Sequence, residues 1–143
     1  MAAVIAFPKS GGGVQDATLL LSENQALTTA VVSTNVLNMG SHNADGARQI
    51  GTGTPIRVRF QITTAFAGGT SIDFQLRTDE DATIDTSSKI LVSTGAIVTA
   101  SLADGYEVSL TIPEGIKHDQ YIGVWYALAD TFSGGAVTAH VDA

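Results

Sequence analysis

The stretch Pro55-Ile56-Arg57-Val58-Arg59-Phe60-Gln61-Ile62-Thr63 alternates with period two: Ile56, Val58, Phe60 and Ile62 fall on one side, and Arg57, Arg59, Gln61 and Thr63 on the other. Successive side chains of a strand point to opposite faces, so the pattern reads as a strand with one face buried and one wet. After Ala65-Phe66-Ala67-Gly68-Gly69-Thr70 the alternation resumes, with Ile72, Phe74 and Leu76 inward and Asp73, Gln75 and Arg77 outward. Two such runs joined by a short glycine-containing connection read as antiparallel neighbours in one sheet, their register fixed by the turn.

The same texture extends along the chain. Glycine-rich punctuation recurs at Gly11-Gly12-Gly13, Asp45-Gly46, Gly51-Thr52-Gly53, Gly68-Gly69, Gly95, Asp104-Gly105, Gly115 and Gly134-Gly135. Between these points lie short runs rich in Val, Ile, Thr and Phe, the signature of an all-β sandwich or barrel. Further strands are expected over residues 18–21, 34–39, 89–94, 106–112, 121–128 and 136–141. Residues 121–128 are almost wholly apolar, as in a strand covered on both faces. Ser22-Glu23-Asn24-Gln25 resembles a capping box and predicts a loop or short helical turn between the first two strands. The β-branched run around Thr28-Thr29-Ala30-Val31-Val32 argues against a longer helix.

Composition narrows the function. The 143 residues suffice for one domain with its own core. Net charge is −7 with only 15% charged residues, so direct nucleic-acid contact is disfavoured, and a charge-poor surface hints at coverage by partners. There is no cysteine, which removes disulfides, thiol nucleophiles and Cys-ligated zinc and fits synthesis in a reducing cytoplasm. The N-terminus lacks the basic flank and apolar length of a signal peptide, and no apolar run approaches a membrane span.

Residues 1–16 read as an N-terminal arm, flexible at its triple glycine, and 17–143 as a single β-sandwich domain. The arm carries Val4, Ile5 and Phe7. It is either a frayed terminus or a segment that docks on a partner. Arg57 and Arg59 share one outward face, with Arg77 and Asp73 expected across from them, as cross-strand ion pairs or subunit contacts.

No catalytic constellation emerges, so no enzyme activity, cofactor or metal is expected. Asp79-Glu80-Asp81-Ala82-Thr83-Ile84-Asp85 has oxygen-bearing side chains at alternate positions, but Ile84 and Ile90 replace the glycine and glutamate that an EF-hand requires. The simpler reading is an acidic solvated loop. His42, His118 and His140 share no ligand spacing. There is no Gly-x-Ser-x-Gly elbow, and Gly51-Thr52-Gly53 leads into a strand, where a phosphate loop would open a helix.

The runs Leu19-Leu20-Leu21-Ser22-Glu23-Asn24-Gln25-Ala26-Leu27-Thr28-Thr29, Ser33-Thr34-Asn35-Val36-Leu37-Asn38-Met39-Gly40, Ile50-Gly51-Thr52-Gly53-Thr54-Pro55, Thr64-Ala65-Phe66-Ala67-Gly68-Gly69-Thr70 and Leu76-Arg77-Thr78-Asp79 resemble the jelly-roll capsid cement (decoration) proteins of tailed bacteriophages. The likeness covers roughly residues 17–142; Ile112-Pro113-Glu114-Gly115 and Tyr121-Ile122-Gly123-Val124-Trp125-Tyr126 fit it less specifically. The resemblance implies a jelly roll and a homo-oligomer, dimer or trimer. It also implies contacts with the major capsid protein and a place on the capsid exterior after synthesis in the host bacterial cytoplasm. It carries no catalytic motif. The arm before Ala17 is longer than the family pattern. The alternative is a lectin-like module binding carbohydrate or calcium, since jelly rolls also host lectins. Trp125 would then be a sugar platform, against its simpler reading as core.

Overall fold

The computed structural model describes residues 19–39, 48–49, 56–113 and 116–142. Among them the strands are β1 (Leu20–Ala26), β2 (Val31–Val32), β3 (Leu37–Asn38), β4 (Arg48–Gln49), β5 (Ile56–Ala67), β6 (Ser71–Asp79), β7 (Lys89–Val98), β8 (Glu107–Ile112), β9 (Lys117–His118), β10 (Tyr121–Ala129) and β11 (Gly134–Asp142).

The first sheet has the order β1-β11-β5-β8; the second runs β2-β10-β6-β7, with β3 also paired to β10. A small ribbon joins β4 to β9, and every pairing is antiparallel. Counting β2 and β3 as one interrupted strand, two four-stranded sheets face each other, and the chain crosses between them at most connections. That interleaving is the doubled Greek key of a jelly roll, so the expected all-β, jelly-roll-like antiparallel sandwich is the observed fold.

Two local expectations fail. The runs over 56–62 and 72–76 are both strands, but they do not pair. β5 lies between β11 and β8, while β6 lies between β10 and β7. The connection at residues 68–70 carries the chain across to the opposite sheet, and the two apolar faces meet through the core, where the Phe60 and Phe74 rings are 5.0 Å apart. Period two reports which face is buried and is silent on the neighbour. The capping-box residues form no helical turn either, because they lie inside β1. Ser22 Oγ instead donates to Gln25 Oε1 at 2.7 Å, and Gln25 Nε2 donates to the Val32 carbonyl. Asn24 adopts φ 47 at an irregularity in the β1–β11 register.

The interruption between β2 and β3 is bridged by Ser33. Its amide donates to the Val124 carbonyl at 2.8 Å, and its hydroxyl accepts from the Val124 amide at 3.1 Å, so β10 keeps its ladder bonds where the strand breaks.

The core is apolar and aromatic. Phe60, Phe74 and Tyr126 are fully buried, with Tyr126 edge-on to both phenylalanines. The Tyr126 hydroxyl and Ser22 Oγ are 2.7 Å apart, so the phenol finds a partner in the opposite sheet. Burial raises the Tyr126 pKa and keeps the phenol protonated. A second aromatic pair, Phe66 and Phe132, closes one end of the sandwich.

Gly135 is required at that end: it has φ +136, and a Cβ there would lie 2.0 Å from the Phe66 ring. Gly135→Ala is expected to cost about 2–5 kcal/mol from backbone strain and overpacking together, measured by urea unfolding.

Candidate interaction surfaces

The outer face of the first sheet carries a small charge cluster. The β5–β11 register sets Arg57 opposite Asp142 and Arg59 opposite His140. Arg57 donates through Nε (3.1 Å) and Nη2 (2.9 Å) to Asp142 Oδ2, with its side chain 54% exposed. Arg59 Nη2 lies 3.0 Å from His140 Nε2, and Asp142 Oδ1 lies 3.2 Å from the same nitrogen. His140 is only 5% exposed, and its Nδ1 has no hydrogen-bond partner.

Burial, then the Arg59 charge, lowers the His140 pKa against the pull of Asp142 and Glu107. The fold therefore favours the neutral imidazole, with Arg59 and Asp142 both placed against its Nε2. Arg57 and Arg59 do share one outward face. Their cross-strand partners are Asp142 and His140, whereas the expected Arg77 and Asp73 lie in the other sheet.

Arg77 has a different task. On the outer side of the second sheet it is 7% exposed. Its Nη1 donates to the carbonyls of Asp85 (3.0 Å), Thr86 (2.9 Å) and Ser88 (3.1 Å). Its Nε and Nη2 donate to Gln75 Oε1 at 2.9 and 2.6 Å, and Gln75 Nε2 donates on to Asp73. The guanidinium thus sits where the loop's carbonyls converge and plays the organising part that a bound cation plays in a calcium loop.

The loop's acids turn to local partners. Asp79 accepts from the Ser88 hydroxyl and the Asp81 amide, and Asp85 from the Ser87 hydroxyl and amide. These bonds lower both carboxyl pKa values. Among the described residues no group of three or more His, Asp or Glu is placed to hold a metal ion.

Trp125 departs from its expected place in the core. It is half-buried on the outer side of β10, with the Arg77 guanidinium 5.8 Å from its ring centroid. The core residue is its neighbour Tyr126, because Ile122, Val124 and Tyr126 are the inward set. Beside Trp125, Ile84 folds over Gly123, where a Cβ would approach it to 3.0 Å.

His118 is buried, and its Nδ1 donates to the Asp119 carbonyl at 2.7 Å. Val4, Ile5, Phe7, His42 and Gly51-Thr52-Gly53 lie outside the described residues. Sequence reasoning missed Ile90 and Val98, the exposed large hydrophobic residues of the described chain, both on β7. The signal was there, since Ile90-Leu91-Val92 does not alternate and must turn an apolar side chain outward.

This is a jelly-roll protein in which Arg57, Arg59 and Arg77 are each held by partners within the fold. The Bbp16 family model matches residues 21–141, nearly all of the sandwich. The chain belongs to the Bbp16 family, a phage-related family. No curated protein matches it. No helix among the described residues is long and apolar enough to cross a membrane.

Two predictions test these clusters. Arg77→Lys keeps the charge but loses the five-donor fork. It should cost about 3 kcal/mol and speed hydrogen exchange of the amides over residues 85–88. For His140, the lowered folded pKa means that its contribution to stability is fully present above the unfolded value near 6.5 and is lost as pH falls toward the folded one. The urea midpoint should fall more steeply between about pH 7 and 5 in the wild type than in His140→Gln.

Proposed function

We propose that this chain is a non-enzymatic structural protein of a tailed-phage virion, a cement protein that binds the capsid exterior and bridges major capsid protein subunits. The observation that carries the reading is membership of a phage-related family across nearly the whole jelly roll. The resemblance of the quoted motifs to capsid cement proteins adds the finer role. The acidic balance fits a partner surface of protein and disfavours contact with the packaged nucleic acid.

The mechanism is avidity. A homo-oligomer engages several capsid subunits at once, so modest contacts add into resistance against outward pressure. Arg57 and Arg59 supply one contact face. The apolar Val4, Ile5 and Phe7 supply an anchor that adds to a neighbour's sheet edge or fills a groove.

Co-sedimentation with capsids lacking this protein tests the reading. Saturable binding at a fixed ratio to capsid subunits is expected, and failure to bind at any concentration overturns it. Removal of residues 1–13 should leave the melting curve unchanged and weaken capsid binding; equal binding would remove the arm from the mechanism.

A further inference from the structure

We infer that His140 Nε2 is a proton-operated selector on the outer face of the first sheet: neutral, it holds Arg59, and protonated, it turns to Asp142 and releases Arg59 as a free cation. The consequence for assembly rests on the contact face assigned to Arg57 and Arg59 in the cement reading.

The geometry sets two partners against one atom. Arg59 Nη2 lies 3.0 Å from His140 Nε2, and Asp142 Oδ1 lies 3.2 Å from it. A ring nitrogen has one in-plane position, which holds either a lone pair or a hydrogen. A guanidinium only donates, so Arg59 needs the lone pair; a carboxylate only accepts, so Asp142 needs the hydrogen. The two bonds exclude each other. His140 is 5% exposed, so bulk water does not settle the contest. Nor does the other ring nitrogen. A hydrogen bond there ordinarily fixes the tautomer, but Nδ1 is buried without a partner. A proton does settle it. With both nitrogens protonated, Nε2 faces Arg59 as donor against donor and cation against cation, and faces Asp142 as half of an ion pair.

Asp142 is already arranged to receive it. Its Oδ2 takes both Arg57 bonds, and its Oδ1 is the oxygen toward His140, so the exchange leaves the Arg57 bonds in place. The other charges around the ring come from β8 and β1. β8 sets Ser109 opposite Arg59 and Glu107 opposite Gln61, which makes Glu107 the diagonal neighbour of Arg59. Glu107 is exposed, and an exposed pair holds a released arginine weakly. β1 sets Leu20 opposite His140, and its one charge is Glu23. Burial and the Arg59 charge oppose protonation, while Asp142 and Glu107 favour it, which places the exchange on the acid side of the ordinary histidine value. With the ring neutral, Arg57 and Arg59 balance Asp142 and Glu107. The added proton makes this patch positive on a chain of net charge −7, a surface for an acidic group of the partner.

Long-range proton–nitrogen NMR spectra of the full chain, followed from about pH 8 to 5, test the selector. At the upper end the His140 hydrogen is expected on Nδ1, with Nε2 bare. On acidification Nε2 should gain a slowly exchanging hydrogen, and the Arg59 guanidinium hydrogens should exchange faster with water. A neutral ring that carries its hydrogen on Nε2, or an Arg59 guanidinium that ignores the His140 titration, overturns the selector. Asp142→Asn should lower the His140 pKa and Arg59→Gln should raise it; shifts in the same direction overturn it as well. Capsid co-sedimentation separates the two readings. Wild-type binding should tighten at least about fivefold from pH 7.5 to 5.5, and Arg59→Gln should abolish that gain. Equal wild-type binding at both pH values overturns the control of the contact by the proton. The NMR exchange without capsid binding at either pH supports the selector and overturns the cement role; capsid binding without the exchange does the reverse.

Discussion

The structure depends on the contact between the inner faces of β5 and β6. These strands are consecutive in the chain yet belong to opposite sheets, and Phe60 and Phe74 meet across the gap at 5.0 Å. A chain that folded this segment as a simple hairpin would put both apolar faces on one side of one sheet and leave them to be covered by something else. By crossing over, each strand becomes the other's cover. Tyr126 then seats edge-on against both rings, and its hydroxyl reaches Ser22 on β1. That polar link at the apolar core, with the Gln25 bond to the Val32 carbonyl, ties the first sheet to the second where non-directional packing alone would leave their relative shift loosely specified.

Much of this was legible in the sequence, and the parts that were not share a cause. Alternation identifies β5 and β6 and their buried faces correctly, because burial of one face is a local property written every second residue. The partner of a strand is not local. The hairpin expectation for β5 and β6 failed because Gly68 and Gly69 serve a sheet-crossing turn as readily as a hairpin. Trp125 was assigned to the core by its size, yet in a run as uniformly apolar as residues 121–128 the inward parity is undetermined. Tertiary packing settles it: Ile122, Val124 and Tyr126 turn inward, which leaves Trp125 on the outer side beside Arg77. Ser22 and Gln25 looked like a helix cap because their side chains do bond locally, but to each other inside a strand.

Arg77 shows why candidate sites are hard to read from spacing alone. The acidic stretch over residues 79–85 has the oxygen count of a cation loop, and its carbonyls do converge. The cation at the convergence is the protein's own guanidinium, delivered from a strand whose alternation marked that position only as outward. Outward from the sheet is not the same as exposed, since the loop that Arg77 organises is also the loop that buries it.

The same distinction explains the electrostatic character of the surface. Arg57 is bound by Asp142, Arg59 by His140 and Arg77 by backbone and Gln75, so three cations of a chain with only seven are committed within the fold. Unpaired acidic charge then dominates what two molecules see of each other at a distance. At close range apolar side chains count for more, and repulsion is weakest where charge is absent. Among the described residues the exposed large hydrophobics, Ile90 and Val98, both lie on β7, whose one charged residue is Lys89 at its start.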